Sequence, residues 1–417
     1  KEAKNLKEGD FVVQARKINI GGEIQEISSF NIKKIGKLDI KLGRDISNEL
    51  KENNITRKEI CEKIGITSRQ FRRVLNQGYP TSLNVFDKLQ NHFSGKLQLQ
   101  IIPVQTYKHR DLILPQAMGA ELAQVCGYFL GDGNFEANGL RFRDGRSEVL
   151  QCYNKLFKNL FSIDGKISKM KNKNCFTLNI NSKEIKDFFS IIIPLILDYV
   201  GKSKDDTVKG FIRGFVDAEG HIDKKRPKIT VAQKEKQILK YLQLFLLRFG
   251  IRSFLRFDVG KKKISNLSIR DRDVKDYLQI GFTALDKQEQ LFKWKNYCDT
   301  TYSKEMMPIK RQDVWELLKS VGLKPSLVIK SRPIDYEWIS RKELDNAFKA
   351  LMNQKIKDRQ IKQKIDFIFR LLNSDFRFEK INSIKIYENI NKELLFDFSV
   401  PRTENYIANG FVVHNST

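Results

Sequence analysis

Across residues 120–290 the apolar positions spell out one module twice: helix, two strands, helix, two strands, helix. Each copy opens on an apolar helix end, Cys126–Gly133 (CGYFLGDG) and Arg213–Gly220 (RGFVDAEG). Both ends carry two small residues four apart, Gly127 and Gly131 in one and Gly214 and Ala218 in the other. A single carboxylate and a glycine follow at once. Residues four apart share a helix face, so each helix offers a flat stripe that another backbone can approach closely. Packing the stripes together is expected to set Asp132 beside Glu219 at the helix ends. The flanks repeat as well: Cys175-Phe-Thr-Leu-Asn-Ile then Ile185-Lys-Asp-Phe-Phe, against Ile264-Ser-Asn-Leu-Ser-Ile then Val274-Lys-Asp-Tyr-Leu. The acids lie 87 residues apart and the strand leucines Leu178 and Leu267 lie 89 apart, the mark of a duplicated supersecondary unit.

Outside this block the rhythm changes. Residues 1–13 read as a polar stretch, a Gly9-Asp10 turn and the start of a strand. Residues 53–92 predict a short amphipathic helix from Arg57, a Gly65-Ile66-Thr67 turn and a second helix, Arg69–Leu75, with Ser68 as its N-cap. Residues 302–375 read as mostly helical and rich in Lys and Arg, with no motif. Ile381–Tyr387, Leu394–Val400 and Tyr406–Val413 alternate like strands, and Asn409-Gly410 supplies a two-residue hairpin turn.

Charge narrows the partners. Lys and Arg number 76 against 50 Asp and Glu, a net +26 spread along the chain, which favours a polyanion. The longest apolar run, Phe188–Val200, is broken by Ser190, Pro194 and Asp198 and is too short to span a membrane, so no membrane partner is expected. The five cysteines show no C-x-x-C spacing, which argues against a zinc site or a disulfide framework, and with no secretory signal a cytoplasmic location is expected. Basic residues then fall where duplex DNA would meet them. In the second short helix Arg69, Gln70, Arg72 and Arg73 suit a helix-turn-helix recognition helix. In Leu140-Arg141-Phe142-Arg143 the two arginines share a strand face, and Lys228 alternates with Ile229 in the second copy. Lys166 and Lys169 in one half, and Arg252 and Arg256 in the other, extend a basic sheet face suited to a saddle over DNA.

The paired motifs resemble those of LAGLIDADG homing endonucleases, with Asp132 and Glu219 at the positions of the metal-binding acids. The resemblance implies an α+β fold of two pseudo-symmetric αββαββα repeats. It further implies Mg2+ (or Mn2+) bridging Asp132 and Glu219, with the backbone carbonyls of Gly131 and Ala218 completing the oxygen shell. Each acid would serve one strand, so a single chain makes a double-strand break, and Lys287 is the candidate that tunes the water network.

A second resemblance covers the ends. FDFSVPRTENYIANGFVV followed by His414-Asn415-Ser416 resembles the C-terminal splicing block of inteins, and Leu6–Asp10 their LKxGD segment. It implies that the Asn415 side chain attacks its own carbonyl and cleaves the Asn415–Ser416 bond. His414 serves as acid–base catalyst, Ser416 as the downstream nucleophile, and Asp397 assists. Glu404 stands where some relatives carry a histidine. Inteins begin with Cys, Ser or Thr and a T-x-x-H block ahead of LKxGD; neither precedes Leu6, and Thr106-x-x-His109 lies on the wrong side. The chain, which opens on Lys1 rather than Met, is thus expected to be truncated or the C-terminal half of a split intein, with a separate N-terminal fragment as partner.

The organisation expected is an N-terminal Hint (splicing-domain) remnant and linker over 1–50 and a helix-turn-helix region over 51–118. The endonuclease follows over 119–300 (repeats 119–205 and 206–300), then a basic helical region over 301–378. A β-rich Hint splicing segment covers 379–415, and the downstream host segment (C-extein) begins at 416–417. The function implied is an intein homing endonuclease acting on an intein-free allele, with duplex DNA and host exteins as partners. Two rivals keep the fold: a non-cleaving nucleic-acid binder, such as a maturase or transcription regulator, and a free-standing homing endonuclease without splicing.

Overall fold

The computed structural model describes residues 5–27, 35–37, 48, 50–52, 56–73, 81–82, 88, 100–101, 112–171, 173–260, 263–297, 305–329, 337–388, 398–401 and 404–414. Strand β1 (Phe11–Ala15) comes first, then β2 (Ile35–Lys37), helices α1 (Arg57–Ile64) and α2 (Ser68–Phe71), and β3 (Thr81–Ser82) and β4 (Gln100–Ile101), which flank β2. The first module runs α3 (Ala120–Asp132), β5 (Gly133–Glu136), β6 (Gly139–Asp144), α4 (Ser147–Phe161), β7 (Lys166–Lys169), β8 (Phe176–Ile180), α5 (Lys183–Ile192). After α6 (Ile196–Lys202) comes the second: α7 (Asp205–Glu219), β9 (Gly220–Ile222), β10 (Lys228–Gln233), α8 (Lys236–Arg248), β11 (Ser253–Val259), β12 (Ile264–Arg270), α9 (Arg272–Asp276). Then come α10 (Leu285–Tyr297), β13 (Met306–Lys310), α11 (Arg311–Ser320), α12 (Pro325–Val328), β14 (Trp338–Ser340), α13 (Arg341–Met352) and α14 (Arg359–Leu372). The last strands are β15 (Phe376–Lys380), β16 (Asn405–Ala408) and β17 (Phe411–His414).

The two modules have the same αββαββα order, and their sheets share one topology, β5-β6-β8-β7 and β9-β10-β12-β11. The registers also correspond. Phe142 lies between Gly133 and Leu178, as Val231 lies between Gly220 and Leu267. Two compact units divide the chain: residues 22–219 with 282–285, and residues 1–21, 220–281 and 286–417.

In the first unit, α4 buries Val149, Leu150, Tyr153, Phe157 and Phe161, a three-and-four spacing that turns one stripe inward. Strand alternation sends Leu140 and Phe142 to the same side, where Phe142 meets Phe157 edge-on at 5.3 Å and Phe129 meets Phe189 at 5.3 Å. The small helices α1 and α2 pack together. Thr67 caps α2 in a reciprocal capping box with Gln70, so Ser68 is the first helical residue rather than the cap; helical backbone continues as a π turn through Arg73, and 74–75 lie outside the described residues.

In the second unit, Ile229 and Val231 face Leu267 and Ile269 beneath Leu239, Leu242 and Leu246 of α8. Chain ends almost 400 residues apart share one sheet, ordered β15-β1-β17-β16, where Gln14 pairs Phe411 and the Ala15 amide donates to Gly410 O at 3.0 Å. Asn409 and Gly410 both have positive φ (51° and 86°), as a type I′ hairpin turn requires. The strand beside β1 is Phe376–Lys380. Residues 381–387, expected as a strand, form no ladder, and 394–397 lie outside the described residues. The helical stretch holds its own core of Met307, Val314, Leu318, Ile339, Leu344, Ala347 and Leu351, with β13 and β14 paired at its edge. No helix among the described residues is long and apolar enough to cross a membrane.

Candidate nuclease and nucleic-acid site

Helices α3 and α7 pack in parallel with their backbones in contact. A methyl group on Gly214 would overlap the carbonyl of Gln124, one on Gly127 the carbonyl of Phe211, and one on Gly210 the carbonyl of Ala120. Gly210 thus extends the stripe by a turn beyond the pair visible in the motif. At the far end a Cβ on Gly131 would sit 2.6 Å from Ala218 Cβ and 3.0 Å from Glu219 Cγ. The contact therefore closes at the last residues of both helices, Asp132 and Glu219.

Two helix C-termini and two carboxylates meet there. Each terminus carries partial negative charge and carbonyls without helical N–H partners, Gly131 O and Ala218 O belonging to those final turns. Asp132 is exposed and Glu219 half-buried. Burial, then the neighbouring charge of Asp132, pushes the Glu219 carboxyl up to about 7. Such a cluster favours a cation, and its oxygen-only donors suit a hard divalent ion that takes its remaining ligands from water or phosphate. Among the described residues no group of three or more His, Cys, Asp and Glu forms a denser centre.

The sheets present polar faces opposite their buried ones. In the first, Arg141, Asn179 and Lys166 form one row and Arg143, Thr177 and Ser168 the next, with Arg141 Nε donating to Asn179 Oδ1 at 2.9 Å. Lys169 does not share this face. It stands in the row of Asp144 and Phe176, on the side of Phe142, with Nζ 6.0 Å from the Phe176 ring centre. Lys166 and Lys169 are three apart, and strand alternation sends such a pair to opposite sides. In the second sheet Lys228, Thr230, Arg256, Asn266, Ser268 and Arg270 share the polar face. Arg252 is engaged within the chain: it stacks over Phe254 at 4.6 Å and pairs with Glu379 of β15. Arg69 of α2 and Arg72 just after it are exposed, and Arg73 is half-buried. Gln70 instead accepts the Thr67 amide at 2.8 Å and hydroxyl at 2.9 Å.

Residues 206–280 match the family described as LAGLIDADG-like domain. Relatives align over nearly the whole chain. It is 26% identical to glutamine–fructose-6-phosphate aminotransferase of Methanocaldococcus jannaschii, covering 99% of this chain and 38% of that protein. It is 23% identical to a probable translation initiation factor IF-2 of the same organism, covering 100% and 39%. The chain thus spans about two fifths of the length of these relatives. Among solved structures, the homing endonuclease I-DmoI in complex with DNA and Ca is 21% identical, covering 38% of this chain and 87% of that one, with a TM-score of 0.32.

The LAGLIDADG-like segment holds a residue that the motif alone does not single out. Asp217, two before Glu219, is fully buried. It accepts the Thr283 amide at 3.0 and 3.2 Å and the Tyr153 hydroxyl at 3.1 Å, while Gln124 Nε2 donates to Thr283 Oγ1 at 2.9 Å. Its counterpart before Asp132 is Leu130, so this network exists once. The signal available in the sequence was a lone acid on an otherwise apolar helix face. Lys287 Nζ donates to the carbonyl of Gly220, the residue following Glu219, at 2.6 Å. At the chain end, His414 Nε2 lies 3.3 Å from Glu404 Oε2, across from the Asn405–His414 register pair. Asp397, Asn415 and Ser416 lie outside the described residues.

Proposed function

We propose that this chain is a metal-dependent, site-specific DNA endonuclease housed in an intein. The observation that carries the nuclease reading is the backbone contact between α3 and α7, which ends on one carboxylate from each helix. Asp132 and Glu219 would hold Mg2+ or Mn2+ with the Gly131 and Ala218 carbonyls. When bound, the ion supplies an activated water and stabilises the leaving oxygen of a phosphodiester. Glu219 would have to release its proton to water to hold the ion, so its raised carboxyl would make ion binding stronger as pH rises through about 7. Lys287, tied to Gly220, orders water beside the acids. Arg141, Arg143, Lys166, Lys228 and Arg256 contact DNA from the polar sheet faces, while Arg69, Arg72 and Arg73 of the α1–α2 pair act as a helix-turn-helix module.

The intein reading is supported by the relatives. Two proteins with unrelated names align with this chain from end to end, each over under two fifths of its own length, as a mobile insert in different hosts does. It is supported too by the sheet that joins β1 to the C-terminal hairpin, the arrangement a Hint splicing domain needs to bring its two junctions together. There Asn415 cyclises to release Ser416, with His414 moving the proton and Asp397 assisting. The test is cleavage of DNA carrying the insert-free host gene in Mg2+, with Asp132→Asn and Glu219→Gln as controls. Cutting at the insertion point, lost in both variants, is expected; binding without cutting in any divalent metal would overturn the nuclease reading.

A further inference from the structure

The polar face of the second sheet contains a basic pocket. It is half-open, about 360 Å3 in volume, and lined by Arg226, Pro227, Lys228, Arg256, Arg270 and Asp271, four cations against one acid. They converge from three places: the β9–β10 turn, the start of β10 with the middle of β11, and the end of β12. The backbone is fixed there, since the Asp271 amide donates to Pro227 O at 2.9 Å and Lys228 pairs with Arg270 in register. Arg270 lies over the Phe254 ring at 5.2 Å, and its Nε is buried with no hydrogen-bond partner among the described residues. A buried guanidinium N–H without a partner is costly, and a guanidinium fork is shaped for phosphate oxygens. Repulsion among four cations in one pocket acts in the same direction.

The corresponding positions of the first module hold none of these cations. By strand register Lys228 answers to Gly139, Arg256 to Ser168 and Arg270 to Asn181. Conversely, Arg141 and Arg143 answer to Thr230 and Ala232. The duplication kept the sheet and moved the charge.

We propose that this pocket is a phosphate site of the second module only, taking one backbone phosphate of duplex DNA. It rests on the DNA-binding reading above, and it adds Arg226 and Arg270 to the residues that hold the duplex. Phosphate contacts set position rather than sequence, so the site acts on any duplex. The ligand chemistry is a phosphate oxyanion, which free phosphate shares, and the test separates the two.

The experiment measures binding of the full chain to a mixed-sequence duplex across a salt series, for wild type and Arg226→Ala/Arg270→Gln. Each phosphate contact contributes a slope of about −0.9 in log K against log salt. The double variant is expected to bind about 10-fold more weakly near 0.1 M salt, with a slope shallower by about 1. Lys155→Ala/Lys240→Ala removes the same charge from exposed positions on α4 and α8, the helices that cover the buried faces of the sheets. It is expected to keep the wild-type slope. Equal losses in both double variants would mean net charge alone and would overturn the site. So would an unchanged slope in the pocket variant, or a pocket that responds to inorganic phosphate while DNA binding is untouched. If the double variant melts early, Arg226→Ala at its exposed position is compared with Lys240→Ala, each one charge fewer, and the same outcomes decide. Wild type that binds no duplex would overturn the DNA-binding reading and this inference with it.

Discussion

Replacing Glu219 with Gln should stabilise the metal-free protein at alkaline pH while abolishing its chemistry. The carboxyl is held near 7 rather than 4.5, first by burial and then by Asp132. A group whose folded value is raised contributes stability that is fully present below its unfolded value, near 4.5, and is lost as pH rises through about 7. Ionising Glu219 at pH 8 thus costs the fold up to about 3 kcal/mol, and roughly 1–3 kcal/mol after allowing for its partial exposure. Glutamine has nearly the same shape and never ionises. Denaturant unfolding in a chelator would show the difference. Near pH 5 wild type and Glu219→Gln should unfold at similar concentrations; at pH 8 the variant should be more stable by that margin. If Asp132 and Glu219 hold a divalent ion, excess Mg2+ should narrow or invert the gap, because the variant keeps only one of the two carboxylates. A variant less stable than wild type at pH 8 without metal would refute the argument, since the carboxylate would then be a net stabilising partner rather than a strained one.

Gly214→Ala sets two principles against each other. Helix propensity favours alanine by about 1 kcal/mol, but the methyl would overlap the Gln124 carbonyl, so a net loss of roughly 1–3 kcal/mol is expected in a thermal melt. Asp217→Ala strips the acceptor from the Thr283 amide and Tyr153 hydroxyl and should cost about 1–3 kcal/mol, with Asp217→Asn milder because it keeps an acceptor. Asn415→Ala should abolish release of the Ser416 segment, read by mass spectrometry, while DNA cleavage proceeds unchanged.

The duplicated module is legible in the apolar periodicities alone. Helix and strand periods are local, and Leu140, Phe142, Leu178 and Ile180 declare a buried face whose counterparts Ile229, Val231, Leu267 and Ile269 declare another. The stripe of Gly127, Gly131, Gly214 and Ala218 is legible as well, because small residues four apart leave little else for a helix face to do. The Asn409-Gly410 hairpin followed from the positive φ its turn demands. Partners set by register and by distance along the chain emerge only in the folded molecule. Lys169 fell on the wrong side of its sheet, and Gln70 turned back to cap its own helix. Arg252 found Glu379, 127 residues away, and Gln14 found Phe411. Asp217, a lone acid on an apolar helix face, has its role set by Tyr153 and Thr283, which reach it from elsewhere in the chain. Periodicity says which face of an element is buried; which residue it is buried against depends on chain closure over hundreds of residues, and no local pattern records that.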